Sequence, residues 1–320
     1  MIDKIIAEVK KFDGILRKKD IKIVGEILKD SFLSENVVIG IGDDAGVIRG
    51  EKGEDFLLLA CDGIHPLLVK NEPYAAGKAS VMVNVNDIYA MGGVPVGIVN
   101  VISYNREENL KAILEGMRKA SVKYRVPILG GHLHPDAECD EISVAILGKG
   151  EKILSSYGAN SGDDVIIAVD LKGKKGCKSV NSWDSTSGKD SKLLLTQLSV
   201  LNKIANEQLA SACKDVSMGG IIGTLGMLLE SSKKGAEIDL NLIPCPQDME
   251  LLEWLKCFLS YGFLLTSPPQ KTKIILNLFK ERDIESTAIG RVNESRKVDI
   301  SYNGEKGTLF DFKKDYIACL

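Results

Sequence analysis

Four short stretches of the chain each put an acidic residue where a predicted strand or helix ends. They cover residues 41–45, 60–63, 85–88 and 214–217. Carboxylates that are shielded from water are costly unless a cation or hydrogen bonds compensate them, and Mg²⁺ with bound phosphate is a common compensation. Because acids at such ends can share one magnesium ion, the pattern predicts a metal–nucleotide site.

Composition limits the class of protein. The 320 residues, 44% of them hydrophobic, are enough for a large core and two domains. A net charge of −3 gives no basic face for DNA or RNA, so nucleic acid is not an expected partner. The start lacks a signal peptide and no segment approaches the ~20 apolar residues of a membrane span, which predicts a soluble cytoplasmic protein. Seven scattered cysteines without a C-x-x-C pair indicate reduced thiols.

Periodicity predicts an N-terminal half of mixed α/β type. Helices are expected at residues 2–12, 20–32, 73–91 and 107–124, and strands at 37–41, 56–61, 96–102, 126–129 and 142–147.

A glycine-bearing polar stretch at residues 149–163 predicts the passage to a second domain. Residues 172–192 are dense in Lys, Gly, Ser and Asp, so we expect a solvated loop in which only Trp183 needs a pocket. Helices are predicted at 190–212, 219–232, 248–258 and 270–282, and strands at 165–169, 237–242, 263–266 and 287–292.

The predicted helix 73–91 carries a polar stripe on an otherwise apolar surface. Ser80, Asn84 and Asp87 are spaced to share one face. The alternative to a functional site is a hydrogen-bonded interior network. Gly92 directly follows the predicted helix and predicts its end. Asp87 lies one turn before this end, which suits a metal or phosphate site.

The other acids also have structural alternatives. On a strand Asp43 and Asp44 point to opposite faces, so only one enters a shared site unless the chain turns, and a lone pair of this kind also marks solvated loops. Asp62 is expected at the carboxyl end of an apolar strand, where Gly63 permits a sharp turn. Asp215 with Ser217 also fits a simple helix cap before Gly219.

Five motifs occur in an order that resembles the aminoimidazole ribonucleotide (AIR) synthetase superfamily. Its members include selenophosphate synthetase, thiamine-monophosphate kinase and the hydrogenase-maturation carbamoyl dehydratase. The resemblance spans nearly the whole chain and is strongest to the AIR-synthase-related proteins of methanogenic archaea. The motifs are I-G-x-G-D-D-A at 39–45, C-D-G at 61–63, V-N-D-I-Y-A-M-G-G-V-P at 85–95, G-G-H at 130–132 and D-V-S-M-G-G at 215–220.

The resemblance implies an α/β (α+β) two-domain fold with domains at residues 1–152 and 153–320. It implies a homodimer whose N-terminal domains form a β-barrel, with ATP in the groove between the N- and C-terminal domains. The acids that it implies for Mg²⁺ are Asp44 (or Asp43), Asp62, Asp87 and Asp215. We further expect His132 and Asp87 to be catalytic, and we expect nucleotide contacts from Asp43, Asp44, Asp62, Lys78, Asn84, Asp87, Gly130, Gly131, Asp215 and Ser217. For Lys78 the alternative is an ordinary surface lysine.

The resemblance implies ATP- and Mg²⁺-dependent phosphoryl transfer to a small molecule. Residues 1–36 lack the cysteine of selenophosphate synthetase, and residues 260–266 lack the acidic cluster of thiamine-monophosphate kinase. Those two activities therefore remain alternatives, as does a nucleotide-binding assembly or regulatory protein without turnover. Cys319 echoes the cysteine-ending tail of the hydrogenase-maturation protein, but its apolar neighbours differ from that tail.

A transition-metal hydrolase is the remaining alternative. His132 and His134 would face the same way on a strand, and acids and Cys139 follow them. Pro135 and the acidic run after it fit a loop better, so His132 alone is expected to contact substrate or phosphate, or to transfer a proton.

Overall fold

A computed structural model describes residues 1–32, 34–50 and 55–318. The chain begins with a helical arm made of α1 (Ile2–Lys10), α2 (Asp13–Leu16) and α3 (Ile21–Leu28). α1 contacts the last strand of the chain, and Ile2, Ile5 and Val9 are buried in the core of the C-terminal half. The arm therefore packs on residues that lie distant in the sequence.

The N-terminal half is built on a six-stranded sheet with helices on one face. Its neighbours are antiparallel except for the parallel last pair, and the order is β1-β2-β3-β6-β4-β5. The elements are β1 (Val37–Ile39), β2 (Gly46–Arg49), β3 (Phe56–Gly63), α4 (Pro66–Asn71), α5 (Pro73–Ala90), β4 (Val94–Ser103), α6 (Glu107–Tyr124), β5 (Ile128–His134) and β6 (Glu141–Gly150).

Two glycines let α5 and α6 pack with their backbones in close approach. A Cβ atom at Gly77 would lie 2.0 Å from the carbonyl oxygen of Ile113, and one at Gly116 would lie 2.1 Å from that of Tyr74. α5 also contacts the N-terminal sheet, α7 and β10 (both bounded below), so it lies between the two halves. This explains why α5 is apolar on nearly every side.

The other face of the N-terminal sheet carries exposed apolar side chains. Alternate residues of β3, β4 and β6 are buried under the helices, and the residues between them point outward. On this outer face Leu59 lies opposite Leu147, and Val99 lies opposite Ala145. Among the described residues the strands form an open sheet and no closed barrel.

The C-terminal half is built on a seven-stranded mixed sheet of order β10-β13-β7-β14-β11-β15-β16, and a three-stranded sheet of order β12-β9-β8 lies beside it. In chain order the elements are β7 (Asp164–Val169), β8 (Lys174–Lys175), β9 (Ser182–Asp184), α7 (Ser191–Asn206), β10 (Ala212–Asp215), α8 (Gly220–Ser231), β11 (Gly235–Asp239), α9 (Leu251–Leu255), β12 (Phe258–Leu259), β13 (Gly262–Ser267), α10 (Pro269–Lys280), β14 (Glu285–Asn293), β15 (Lys297–Tyr302) and β16 (Glu305–Asp311).

The seven-stranded sheet is covered on both faces. Along β7, Ile166 and Ala168 join the core shared with the N-terminal half, while Val165 and Ile167 join a second core under the helical arm. Burial on both faces explains the continuous apolar run of this strand.

Most predicted helices and strands are present, with some corrections. The prediction of a solvated loop at 172–192 is right about the solvent exposure of residues 172–176, and Trp183 is buried as expected, edge-to-face on Trp254 with 5.4 Å between ring centroids. It is wrong for β8 and β9, which form part of a sheet. The predicted helices 190–212 and 248–258 shorten to α7 and α9, and the prediction missed α4, β2, β10, β12, β15 and β16. Within the described ranges no helix has both the length and the apolar character needed to cross a membrane. Cys319 lies outside the described residues.

Candidate active site

Three carboxylates from separate elements meet between the two halves. Asp44 lies on the bend between β1 and β2, Asp87 on α5, and Asp215 at the end of β10. One oxygen atom of each carboxylate lies within 4.8 Å of the others. We call Asp44, Asp87 and Asp215 the carboxylate cluster. The contact between α5 and β10 brings Asp87 to the C-terminal sheet.

Asp62 lies beside the carboxylate cluster and is not one of its three members. It lines a cavity of about 90 Å³ together with Asp215, Ser217 and Asn86. We call this the acidic cavity. β3 continues through Gly63, so the sharp turn predicted at that residue is wrong. Asp62 is close enough for its charge to act on Asp87 and Asp215.

The structure tests the capping interpretation of Asp215 and Ser217. α8 has Gly219 as its N-cap residue and no side-chain cap hydrogen bond, so the capping alternative is wrong. The Ser217 amide instead donates to Oγ1 of Thr224 at 3.3 Å. Both side chains are left facing the acidic cavity.

Asp43 and Asp44 have different surroundings. The carboxylate of Asp43 accepts hydrogen bonds from Oγ of Ser155 at 2.7 Å and from the Ser156 amide at 3.0 Å. It therefore ties the bend to the segment that leads to the C-terminal half. Asp44, whose side chain is only 5% exposed, is the one that enters the carboxylate cluster.

Lys214 neutralises part of the carboxylate cluster, and sequence reasoning gave it no role. Its ammonium group forms an ion pair with Asp44, and both side chains are largely buried. Burial alone would lower the pKa of Lys214, but the charges of Asp44, Asp43 and Asp215 raise it. The available signal was a lysine within the otherwise buried strand β10.

Burial and mutual repulsion govern the protonation of the carboxylate cluster. Burial raises the pKa of Asp87 and Asp215 well above the usual carboxylate value, and neighbouring carboxylates raise both further. Burial also raises the pKa of Asp44, although Lys214 opposes this change. A divalent cation would favour the charged form of all three groups.

The two amide side chains of α5, Asn84 and Asn86, have different surroundings. Asn84 is fully buried and does not line the acidic cavity; its Nδ2 donates to the carbonyl oxygen of Ser80 at 2.9 Å, and its Oδ1 has no hydrogen-bond partner among the described residues. Asn86, which the prediction missed, lines that cavity, and its Oδ1 has no hydrogen-bond partner within the described part of the chain. An unpartnered buried amide oxygen is an available ligand.

The residues predicted on β5 lie apart from the carboxylate cluster within one chain. Gly130, Gly131 and His132 are exposed, and none of them lines the acidic cavity. His132 and His134 do face the same way, with ring centroids 4.6 Å apart. In the described ranges, however, the carboxylate cluster is the only group of three or more potential metal ligands, so the transition-metal alternative finds no ligand set there.

Lys78 lines a second, larger cavity of about 510 Å³ between α5, α6 and the segment 176–187. Lys119 and Lys123 also line it, and we call it the lysine cavity. Its walls share Leu68, Ala79, Phe258 and Leu259 with the acidic cavity. The two cavities are therefore neighbours.

The carboxylate cluster fits a magnesium ion. Mg²⁺ takes oxygen ligands at ~2.1 Å in octahedral geometry, so opposite ligands are ~4.2 Å apart. One oxygen atom of each carboxylate lies within 4.8 Å of the others, and three buried acids offer the hard oxygen ligands that Mg²⁺ prefers. When bound, Mg²⁺ would neutralise charge on a phosphoryl group. Asp44, Asp87 and Asp215 would hold it, with Asp62 close by.

Comparison with known proteins gives the family. The N-terminal domain of AIR synthase related protein matches residues 42–151, and its C-terminal domain matches residues 163–303. An uncharacterised protein of Methanocaldococcus jannaschii is 40% identical over 321 residues, 99% of each chain. A thiamine-monophosphate kinase of Buchnera aphidicola is 28% identical over 286 residues, 82% of this chain and 87% of the kinase.

Solved structures show the same fold. Thermotoga maritima PurL complexed with FGAR has a TM-score of 0.77 at 18% identity, covering 97% of this chain and 53% of the PurL chain, so this chain spans about half of PurL. AaThiL complexed with AMPPCP and TMP has a TM-score of 0.66 at 21% identity, covering 91% of this chain and 96% of AaThiL. The predicted superfamily is confirmed, and the chain belongs to the AIR synthase-related protein family.

Proposed function

We propose that this protein binds ATP with Mg²⁺ at the carboxylate cluster and transfers a phosphoryl group to a small molecule. The observation that carries the proposal is the meeting of Asp44, Asp87 and Asp215 within 4.8 Å at the junction of the two halves. Such a group of buried carboxylates is unfavourable without a cation. Structural ion pairs seldom leave an excess of buried negative charge, whereas phosphoryl-transfer sites require it for their metal ions.

The names of the relatives support the same class of reaction. One relative is a thiamine-monophosphate kinase, and AaThiL, which has the same fold, was solved with AMPPCP and TMP. We carry from them only ATP-dependent phosphoryl transfer. In that reaction the bond between the γ-phosphorus and the bridging oxygen breaks, the acceptor oxygen forms a new bond to phosphorus, and ADP leaves with the bridging oxygen.

Residues of this chain have definite tasks in the proposed reaction. Asp44, Asp87 and Asp215 position the metal, and Asp62 contributes negative charge beside it. Lys214 is held next to Asp44, where its ammonium group would bind a phosphate oxygen of the nucleotide. Ser217 and Asn86 offer polar groups from the wall of the acidic cavity.

We also propose a homodimer in which the outer faces of two N-terminal sheets pack together into a barrel. The exposed apolar residues Leu59, Val99 and Leu147 support it, because a sheet face of this kind is normally covered. This dimer would bring His132 and the two glycines before it, Gly130 and Gly131, towards a partner chain. We place the boundary between the two domains at residues 152 and 153, because the first family match ends at residue 151 and the second begins at residue 163.

Calorimetric titration of the protein with ATP, with and without Mg²⁺, tests the proposed function. We expect saturable binding that requires Mg²⁺, followed by ADP release when an acceptor is added. Binding without any acceptor-dependent ADP release across a broad metabolite screen would favour the nucleotide-binding regulatory alternative. No binding at millimolar ATP would overturn the proposal.

A further inference from the structure

The lysine cavity has the size of a small-molecule site. Its volume of about 510 Å³ lies within the ~300–1,000 Å³ typical of ligand pockets. It lies on the helix side of the N-terminal sheet, between α5 and α6 below and the segment 176–187 of the C-terminal half above. None of the acids of the carboxylate cluster lines it, so it is a separate cavity.

The walls of the lysine cavity are mostly apolar. Met82 and Ala75 contribute from α5, Tyr124 from α6, and Trp183 and Leu259 from the C-terminal half. Trp183 keeps its indole fixed by donating from Nε1 to the carbonyl oxygen of Asp170 at 2.9 Å. A preformed wall of this kind suits the flat or branched body of a metabolite.

Two lysines converge on one end of the cavity. Lys123 donates to the carbonyl oxygens of Thr186 and Ser187 at 2.8 and 2.9 Å, and Lys78 donates to Oγ of Ser187. An ammonium group has three donors, so each lysine retains at least one donor for a ligand. Lys119 adds a third positive charge to the lining.

The acids near these lysines are already engaged. Oε1 of Glu72 accepts from the amides of Lys178 and Ser179, and Oδ1 of Asp184 accepts from the amides of Thr186 and Ser187. Neither acid forms an ion pair with Lys78 or Lys123 within the residues that the structure describes. Among the described residues neither ammonium group has a carboxylate within ion-pair distance, although the charge of Asp184 acts on both lysines.

The ammonium groups of Lys78 and Lys123 lie close enough for the charge of one to change the pKa of the other. Burial lowers the pKa of Lys123, and the charge of Lys78 lowers it further, while the charges of Asp184 and Asp190 partly oppose this change. Two neighbouring positive charges in a partly buried wall favour an anion between them.

We propose that the lysine cavity binds a small molecule that carries a phosphate or carboxylate group on an apolar body, with Lys78 and Lys123 holding the anionic group. The apolar body packs on Met82, Trp183 and Leu259. This molecule is the phosphoryl acceptor, because the lysine cavity and the acidic cavity share part of their walls. That assignment rests on the proposed function.

The test uses the full chain and three probes of similar shape: phenyl phosphate, benzoate and the neutral benzyl alcohol. Calorimetry measures each probe against the original protein and against Lys78→Met and Lys123→Met. Lys111→Met is the matched control, because Lys111 is an exposed lysine on α6 that does not line the cavity. Circular dichroism checks that every variant is folded.

We expect one or both anionic probes to bind, and to bind more tightly than benzyl alcohol. Each cavity variant should lower this affinity about tenfold or more, because one charge-assisted hydrogen bond is lost. Lys111→Met should leave binding unchanged. If Lys123→Met loosens the segment 186–187, Lys78→Met still tests the anion site alone. Absence of probe binding at millimolar concentration, or equal affinity in all variants, would overturn the proposal.

Titration with Mg²⁺ and ATP separates this inference from the proposed function. Lys123→Met, at a residue for which no nucleotide contact was predicted, should retain Mg²⁺-dependent ATP binding, because the carboxylate cluster is untouched. Loss of ATP binding in this folded variant would assign the lysine cavity to the nucleotide and overturn the acceptor role. If the original protein binds the anionic probes but not ATP, the anion site stands and the proposed function fails.

Discussion

Lys214 of the C-terminal half forms a buried ion pair with Asp44 of the N-terminal half. The ammonium group lies where the carboxylate cluster needs positive charge, and it bridges elements 170 residues apart in the sequence. In the metal-free protein this pair compensates one of three converging acids. It also joins the two halves at the candidate active site.

Replacing Lys214 with methionine should destabilise the metal-free protein by about 3–5 kcal/mol, because Asp44 would keep a buried charge without its partner. Denaturant unfolding in EDTA measures this loss. Excess Mg²⁺ should restore a large part of it, since the ion replaces the missing positive charge. The double variant Lys214→Met/Asp44→Asn should be more stable than Lys214→Met alone, and equal stability of the two would contradict this account.

Asp87→Asn should keep the fold and weaken Mg²⁺-dependent ATP binding by roughly tenfold or more, because an amide retains the shape but removes an anionic ligand. Calorimetry with Mg²⁺ and ATP measures the change. Asp136→Asn, an exposed acid on the turn after β5, is the control and should bind as the original protein does. Unchanged affinity in Asp87→Asn would remove this residue from the proposed metal site.

The stability of the metal-free protein should decrease as the pH rises. The pKa values of Asp87 and Asp215 are higher in the folded than in the unfolded chain. Their protonated forms therefore stabilise the fold below the unfolded pKa, and this contribution is lost as the pH rises through the raised folded pKa. Denaturation midpoints in EDTA between about pH 4 and about pH 8 measure the decrease.

Two comparisons identify the source of this pH dependence. Asp87→Asn should show a shallower decrease, and excess Mg²⁺ should reduce it by binding the ionised carboxylates. Profiles that are parallel in the original protein and in Asp87→Asn would assign the pH dependence to other groups.

The proposed dimer depends on the outer face of the N-terminal sheet. Leu59 is 55% exposed and Val99 is 46% exposed in the single chain. A glutamate at either position would put a charge into the proposed interface, so Leu59→Glu or Val99→Glu should shift the protein to monomers in sedimentation experiments. Val122→Glu, on the outer side of α6, should leave the assembly unchanged. A monomeric original protein would overturn the dimer.

Sequence patterns determined β3 and α5, which carry Asp62 and Asp87, but did not predict β10, which carries Asp215. The apolar run before Asp62 predicted β3, and the glycines after Met91 predicted the end of α5, where Gly92 adopts a φ of +79°. These are local effects, because hydrogen bonding and side-chain periodicity act within a few residues. Motif order also gave the family, since five short motifs in sequence do not depend on knowing their contacts.

Only the tertiary structure decided which side chains meet. It put Asp44 rather than Asp43 beside Asp215, assigned Asn84 to the interior and Asn86 to the acidic cavity, and brought Lys214 to the carboxylates. It also brought the segment 176–187 against α5 and α6, where these elements together line the lysine cavity. The physical reason is that burial and long-range charge pairing depend on how two sheets pack, which residue spacing along one element does not encode.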